Sequence, residues 1–235
     1  MTEPEISARR SPLLRFRNLH RGERCVIVCN GPSLNRMDLS FLRHEIVFGL
    51  NKIYLGLKEF GFYPRYLVAV NDLVIAQSIE QYRAMTAIKF LSDRAGSELP
   101  RDAWTYHIRT TKLEQRFYHD ITQGVREGHT VTHAALQIAY YMGFSEVVII
   151  GMDHRFEISG LPNQTQHMAG LDLNHFSPEY FSGHDWDLPN LKESETSYLA
   201  SLEAYTAENR RIIDATLGGG CEIFPKSDYR AIFGV

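Results

Sequence analysis

Apolar runs of strand length recur along the chain: CVIVCN (25–30), EIVFGLN (45–51), YLVAVN (66–71), AIKFLS (87–92), WTYHIR (104–109) and EVVIIG (146–151). Most are β-branched and apolar on both faces, as in strands covered by helices on each side. Helical patterns alternate with them. SLNRMDLSFL predicts a helix with Ser33 as N-cap, and DLVIAQSIEQYRAM one opening at Asp72. TVTHAALQIAYYMGF places Ala134, Ile138 and Tyr141 on one stripe and stops at Gly143. A late helix, SETSYLASLEAYTAENR, leads into a short strand, RIIDAT. Such alternation predicts an α/β fold: a Rossmann-like parallel sheet, wound with right-handed crossovers, with helices on both faces. Residues 152–192 depart from it, being polar, aromatic and proline-bearing without a clear period. A segment of that length inside a compact domain reads as a lid or a substrate-binding insertion.

Composition narrows the classes. The 235 residues are 44% hydrophobic and 23% charged, enough to bury a sizeable core in one domain. A net charge of -3, with no basic run beyond Arg9-Arg10 and Arg210-Arg211, argues against a nucleic-acid partner bound through bulk charge. Cys25, Cys29 and Cys221 lie in apolar context, and the spacing of the first two reads as packing within one strand. A cytoplasmic protein without a spanning segment is expected, peripheral membrane association and oligomerisation being left open. The expected organisation is a loose segment 1–22 and a single nucleotide-binding α/β domain 23–235, with a lid near 155–190.

In such a sheet ligands sit beyond the carboxyl ends of the strands. Those ends are Asn30-Gly31-Pro32-Ser33, Asn51, Asn71-Asp72 and Gly151-Met152-Asp153. Asparagine is a poor strand residue, and its amide both accepts from and donates to a nucleotide or sugar. Gly31 would admit a phosphate close to the backbone, and a helix opening at Ser33 would offer it free N–H groups. Asn and Gly also simply make turns. The fingerprint G-x-G-x-x-G, the Walker loop and G-x-S-x-G are all missing.

CNGPSL, FGLNKIYL, VAVND and GHTVTHAALQIAYYMGFSEVVIIGMDHRF together resemble the family grouped as 6-hydroxymethylpterin diphosphokinase MptE-like proteins, which also takes in the Maf glycosyltransferases. The same blocks are similar to small bacterial sialyltransferases that use CMP-activated sialic acid. FSPEYFSGHDWDLP and IIDATLGGGCEIFP resemble versions in polysaccharide-cluster members. The resemblance spans about 23–225. It implies that Asn30, Gly31, Pro32, Ser33 and Asn51 hold the nucleotide and its phosphate, and that Asn71, with Asp72 beside it, faces the donor sugar. It further implies that Thr130 and Thr132 line the nucleotide pocket and that Gly151 and Asp153 sit by base and ribose. His184, in a tyrosine-bearing lid, takes the place of the general base. The chain departs from the sialyltransferase pattern in having Gly128 where an arginine is usual, and Arg155 where a tyrosine steadies the departing phosphate.

The expected activity is therefore inverting transfer of a sugar from a nucleotide-activated, CMP-type donor to a glycan acceptor in surface polysaccharide synthesis. It needs no cofactor and no metal site. A diphosphokinase using ATP and Mg²⁺, with Asp72 and Asp153 as metal ligands, is the rival. A nucleotide-sugar-binding protein without catalysis is the third reading. His129, His133 and His154 flank the expected pocket, and His167, His175 and His184 lie in the insertion. H-x-x-x-H at 129 and 133 is a weak zinc signal without further ligands.

Overall fold

A computed structural model describes residues 11–95, 98–112, 116–157 and 159–235. Every predicted apolar run forms a strand. They are β1 Arg24–Val28, β2 Val47–Leu50, β3 Tyr66–Ala69, β4 Ile88–Ser92 and β5 Thr105–Ile108. A short pair, β6 Thr110–Thr111 and β7 Val125–Arg126, precedes β8 Glu146–Ile150. An antiparallel ribbon of β9 Thr165–His167 and β10 Asp185–Asp187 then leads, through a long helix, to β11 Arg211–Asp214. The main sheet has seven strands in the order β11-β8-β1-β2-β3-β4-β5. Every pairing in it is parallel.

The period-2 geometry of a strand explains why these runs are apolar throughout. Along β1, Cys25 and Ile27 enter the core on one face, while Val26 and Val28 enter the core on the other. The first face is covered by the helix Val131–Tyr141, itself overlaid by the helix Leu191–Ala207, whose Tyr205 hydroxyl donates to the Leu136 carbonyl at 2.8 Å. Ala135, Leu136, Ala139 and Tyr140 are consequently as buried as the predicted stripe of Ala134, Ile138 and Tyr141. The helix does stop at Gly143, whose φ of 90° is open to glycine at little cost.

Two predicted helices are shorter than their patterns. SLNRMDLSFL forms two 3-10 turns, Pro32–Arg36 and Ser40–His44, and Gly31, not Ser33, holds the N-cap position. Asp38 interrupts by accepting from the Ser40 amide at 2.9 Å, a side-chain turn that competes with helix continuation. DLVIAQSIEQYRAM divides into Asp72–Ala76, capped by Asn71, and Ile79–Ala84, which opens after Ser78. Its break falls where Ser78 is buried against the Tyr54 hydroxyl, 3.0 Å away. The segment expected to be loose is described from residue 11, and from there it packs on the sheet. Phe16 meets Phe90 and Tyr106 edge-on at 4.9 and 4.8 Å, and buried His20 lies 2.7 Å from the Tyr66 hydroxyl.

The chain lays strands outward from β1 to β5 and then returns to place β8 on the other side of β1. The order therefore reverses at β1, and a crevice opens above the carboxyl ends of β1 and β8.

Candidate active site

That crevice is part of a cavity of about 710 Å³. Its floor is made of strand exits: Cys29, Asn30 and Gly31 after β1, Asn51 after β2, Asn71 after β3, and Gly151 to Asp153 after β8. Thr130, Val131 and Thr132 bring the N-terminus of the Val131–Tyr141 helix to the cavity, and Asn190 and Leu191 bring that of the Leu191–Ala207 helix. Arg155, Phe156, His175, Phe181 and Trp186 from the 155–190 segment wall it in.

Backbone strain is concentrated here. Six described non-glycine residues have left-handed backbone, and four of them, Asn51, His129, His154 and Asn163, line the cavity. Each such conformation costs about 1 kcal/mol or more, and it persists where surrounding contacts over-determine it.

The β1 corner is more committed internally than its sequence implies. The Gly31 amide donates to the Gly151 carbonyl at 2.8 Å. Asp153 accepts from the Ser33 amide at 3.1 Å and from the Ser33 hydroxyl at 2.6 Å. Ser33 is fully buried, and neither it nor Pro32 lines the cavity. The N–H group expected to receive a phosphate here is thus taken by a carboxylate. A Cβ at residue 31 would stand 1.9 Å from Asp153 Oδ2, so the glycine makes room for Asp153. What the corner leaves open is the Asn30 side-chain oxygen, which is buried without a partner among the described residues, as is that of Asn51. Unpaired buried acceptors are costly and call for a donor from outside.

Asn71 caps the next helix by accepting from the Val74 amide at 3.1 Å, and its side-chain nitrogen donates to Asp187 of β10 at 3.1 Å. Asp72 lies off the cavity, held by Arg94 Nε at 2.8 and 2.9 Å. Thr130 caps its helix through the Thr132 amide at 3.3 Å and sits 3.1 Å from the Tyr198 hydroxyl. The Thr132 hydroxyl lies 3.4 Å from Cys29 Sγ. Arg155 and Lys112 line the cavity, both exposed and neither ion-paired with a described residue. Two helix N-termini and these two cations offer donors to an anion here, while Asp153 and Asp187, which also line the cavity, are bonded to Ser33, Asn71 and Thr165.

His184 is elsewhere. It lines a separate cavity of about 440 Å³ with Lys52, Gln77 and Glu179. Partial burial, then the charge of Lys52, lowers its pKa. The carboxylates beside it in sequence serve other groups: Asp185 contacts His167 Nδ1 at 2.8 Å, and Asp187 accepts from Thr165 and Asn71. Of the remaining histidines, His133 is fully buried between Ser201 and the Arg116 carbonyl, and burial pushes its pKa down to about 4. His129 pairs with Asn163, and His154 with Glu195. Among the described residues no three His, Cys, Asp or Glu side chains are grouped to hold a metal. Sequence reasoning missed Lys112, Asn163, Trp186 and Tyr198, which come from loops, the short strand β10 and a distant helix without a motif of their own.

Compared with known proteins, the chain is similar in fold to the MAf glycosyltransferase from Magnetospirillum magneticum AMB-1. The TM-score is 0.57 at 13% identity over 90% of this chain. It covers 35% of that chain, about a third of the length of the neighbour. No curated protein matches in sequence. A family model described as 6-hydroxymethylpterin diphosphokinase MptE-like matches residues 6–159, a stretch holding β1 to β8 and the whole cavity floor. The chain belongs to the MptE-like family.

Proposed function

We propose that the protein is a glycosyltransferase whose donor is a nucleotide-activated sugar, with the nucleotide phosphate held in the cavity at the strand exits. The observation that carries this reading is the presence in one cavity of Arg155 and Lys112, neither ion-paired with a described residue, and of the two helix N-termini opening at Thr130 and Asn190. Phosphate is the anion best matched to such a site, since guanidinium bonds to it are charge-assisted and helix N–H groups add to them. The unpartnered oxygens of Asn30 and Asn51 supply acceptors for sugar hydroxyls or a base amino group. The fold shared with the MAf glycosyltransferase agrees with this reading.

In transfer, the anomeric carbon gains a bond to the acceptor oxygen while its bond to the phosphate oxygen breaks. Arg155 then stabilises the charge developing on the leaving phosphate. The CMP-linked, sialic-acid-like donor and the role in surface polysaccharide synthesis belong to this proposal, as do a glycan acceptor and the absence of a metal requirement. The diphosphokinase rival asks Asp72 and Asp153 to bind Mg²⁺ between phosphates. Asp72 is instead engaged by Arg94, and both Asp153 oxygens by Ser33.

Thermal-shift and calorimetric titration with CMP, CDP, UDP and ATP, each with and without Mg²⁺, tests the reading. Stabilisation by a cytidine or uridine nucleotide without metal is expected. An absolute Mg²⁺ requirement with preference for ATP would overturn it in favour of phosphoryl transfer.

A further inference from the structure

Among the histidines around the cavity one is held differently from the others. His175 Nδ1 lies 2.8 Å from Asp172 Oδ2. The carboxylate is fully buried and is fixed by the Asn174 amide, which donates to its other oxygen at 2.9 Å. The imidazole lies flat on Tyr180, ring centroids 4.0 Å apart and planes within 5°, with Phe181 and Trp186 at its edges. A carboxylate at Nδ1 fixes the tautomer with the proton on that nitrogen and the lone pair on Nε2. Nε2 has no partner among the described residues, and the ring lines the cavity that also holds Arg155. His129 and His154 line the same cavity without a carboxylate at Nδ1: His129 Nδ1 faces the Asn163 oxygen, and the Nε2 of His154 is taken by Glu195.

We propose that His175 is the catalytic base of the transfer and that Asp172 is its positioning residue, an inference that rests on the nucleotide-sugar reading above. The acceptor hydroxyl gives its proton to His175 Nε2 as its oxygen bonds to the anomeric carbon. The electron pair of the broken bond leaves on the phosphate oxygen, and the proton passes from Nε2 to solvent once product departs. The arrangement has the two parts such a step needs: an imidazole lining the cavity with one nitrogen unbonded to any described residue, and a third group that orients it. Both residues lie outside the stretch matched by the family model.

The alternative is that the dyad only pins the loop between Asp172 and Tyr180, and the test is built to separate the two. Turnover is measured with the sugar conjugate of whichever nucleotide stabilises the protein. His175→Gln should lower kcat by about 10²–10⁴-fold with nucleotide affinity nearly intact. Asp172→Asn should lower kcat at near-constant KM, and His184→Ala should stay near wild type. A His175→Gln variant within a few-fold of wild type, or a loss carried by His184→Ala, would overturn the proposal. If His175→Gln fails to fold, carbethoxylation of wild-type protein by diethyl pyrocarbonate decides, with modified residues mapped by mass spectrometry. Loss of turnover should then track modification of His175 and be slowed by bound nucleotide. If no nucleotide binds, the transferase reading fails by itself, and the same reagent still judges the residue. An Nε2 reachable from the cavity should be modified faster than buried His133, both of whose ring nitrogens are engaged, whereas equal resistance would show a structural imidazole.

Discussion

Replacing Gly31 by alanine is expected to destabilise the fold itself, not only to weaken a ligand. The new methyl would stand 1.9 Å from Asp153 Oδ2 and 2.6 Å from the Gly151 carbonyl oxygen. Both are far inside van der Waals contact, and the second is backbone, which cannot swing aside. Asp153 would have to move, and its bonds to the Ser33 amide and hydroxyl, 3.1 and 2.6 Å, would break. Bonds to a charged group contribute about 1.5–3 kcal/mol each, and overpacking a filled site costs about 1–3 kcal/mol. Because the clash is relieved by breaking those bonds, the terms overlap, and a loss of about 3–5 kcal/mol is expected. Urea denaturation of Gly31→Ala, Asp153→Ala and the double variant checks this. Without the carboxylate the methyl has less to displace, so the double variant should be more stable than additivity gives, by about 1–3 kcal/mol. Gly31→Ala within about 0.5 kcal/mol of wild type, or strict additivity, would refute the idea that residue 31 is glycine in order to admit Asp153.

Three other outcomes follow from the geometry. His133 is held neutral, with its pKa near 4, so between about pH 6.5 and 4 the unfolded chain binds a proton that the folded chain does not. Stability should therefore fall as pH drops through that window, by at most about 3 kcal/mol, and His133→Asn should flatten this part of the stability curve; an unchanged slope would count against it. Arg155→Gln should weaken nucleotide binding by about 10–100-fold in calorimetry with an unaltered melting temperature, as expected for a lost charge-assisted contact on an exposed side chain. Asn71→Asp keeps the cap on Val74 but places a carboxylate against Asp187, whereas Asn71→Ser keeps the cap alone. Proteolysis within 160–190 should be faster in Asn71→Asp than in Asn71→Ser, and equal rates would separate Asn71 from the ordering of that segment.

The sheet was legible because its strands are buried on both faces, so each appears in sequence as a continuous apolar run. The switch at β1 made the strand exits readable too, and Asn30, Asn51, Asn71, Thr130 and Gly151 do share one cavity. What sequence could not supply was which polar groups satisfy one another. Ser33 and Asp153 are 120 positions apart and saturate each other, and Asp72 is claimed by Arg94 across 22. The same blindness affects the 155–190 segment. Without a period, nothing in YFSGHDWD shows which side faces the sheet: β10 buries Trp186 between exposed Asp185 and Asp187, while His184, in the turn before the strand, lines the other cavity. The signal that existed was the Asp172-Leu-Asn-His175 spacing, visible only once a loop conformation brings the two side chains together.

The ring of left-handed residues around the cavity has a consequence for how this protein tolerates change. Glycine at Asn51, His129, His154 or Asn163 would relax the backbone, each by up to about 1 kcal/mol, so these are the easiest places in the chain to find variants that melt later. They are also the places where the relaxed variant loses a side chain from the cavity wall. Selection for robustness alone would erode the rim first, and a hardened variant from a thermal screen would be expected to have lost binding. The separation runs the other way at the far end of the sheet from the strand exits, where Asn18 and Asn209 carry the same backbone strain away from the cavity. Glycine there should harden the fold and leave recognition untouched.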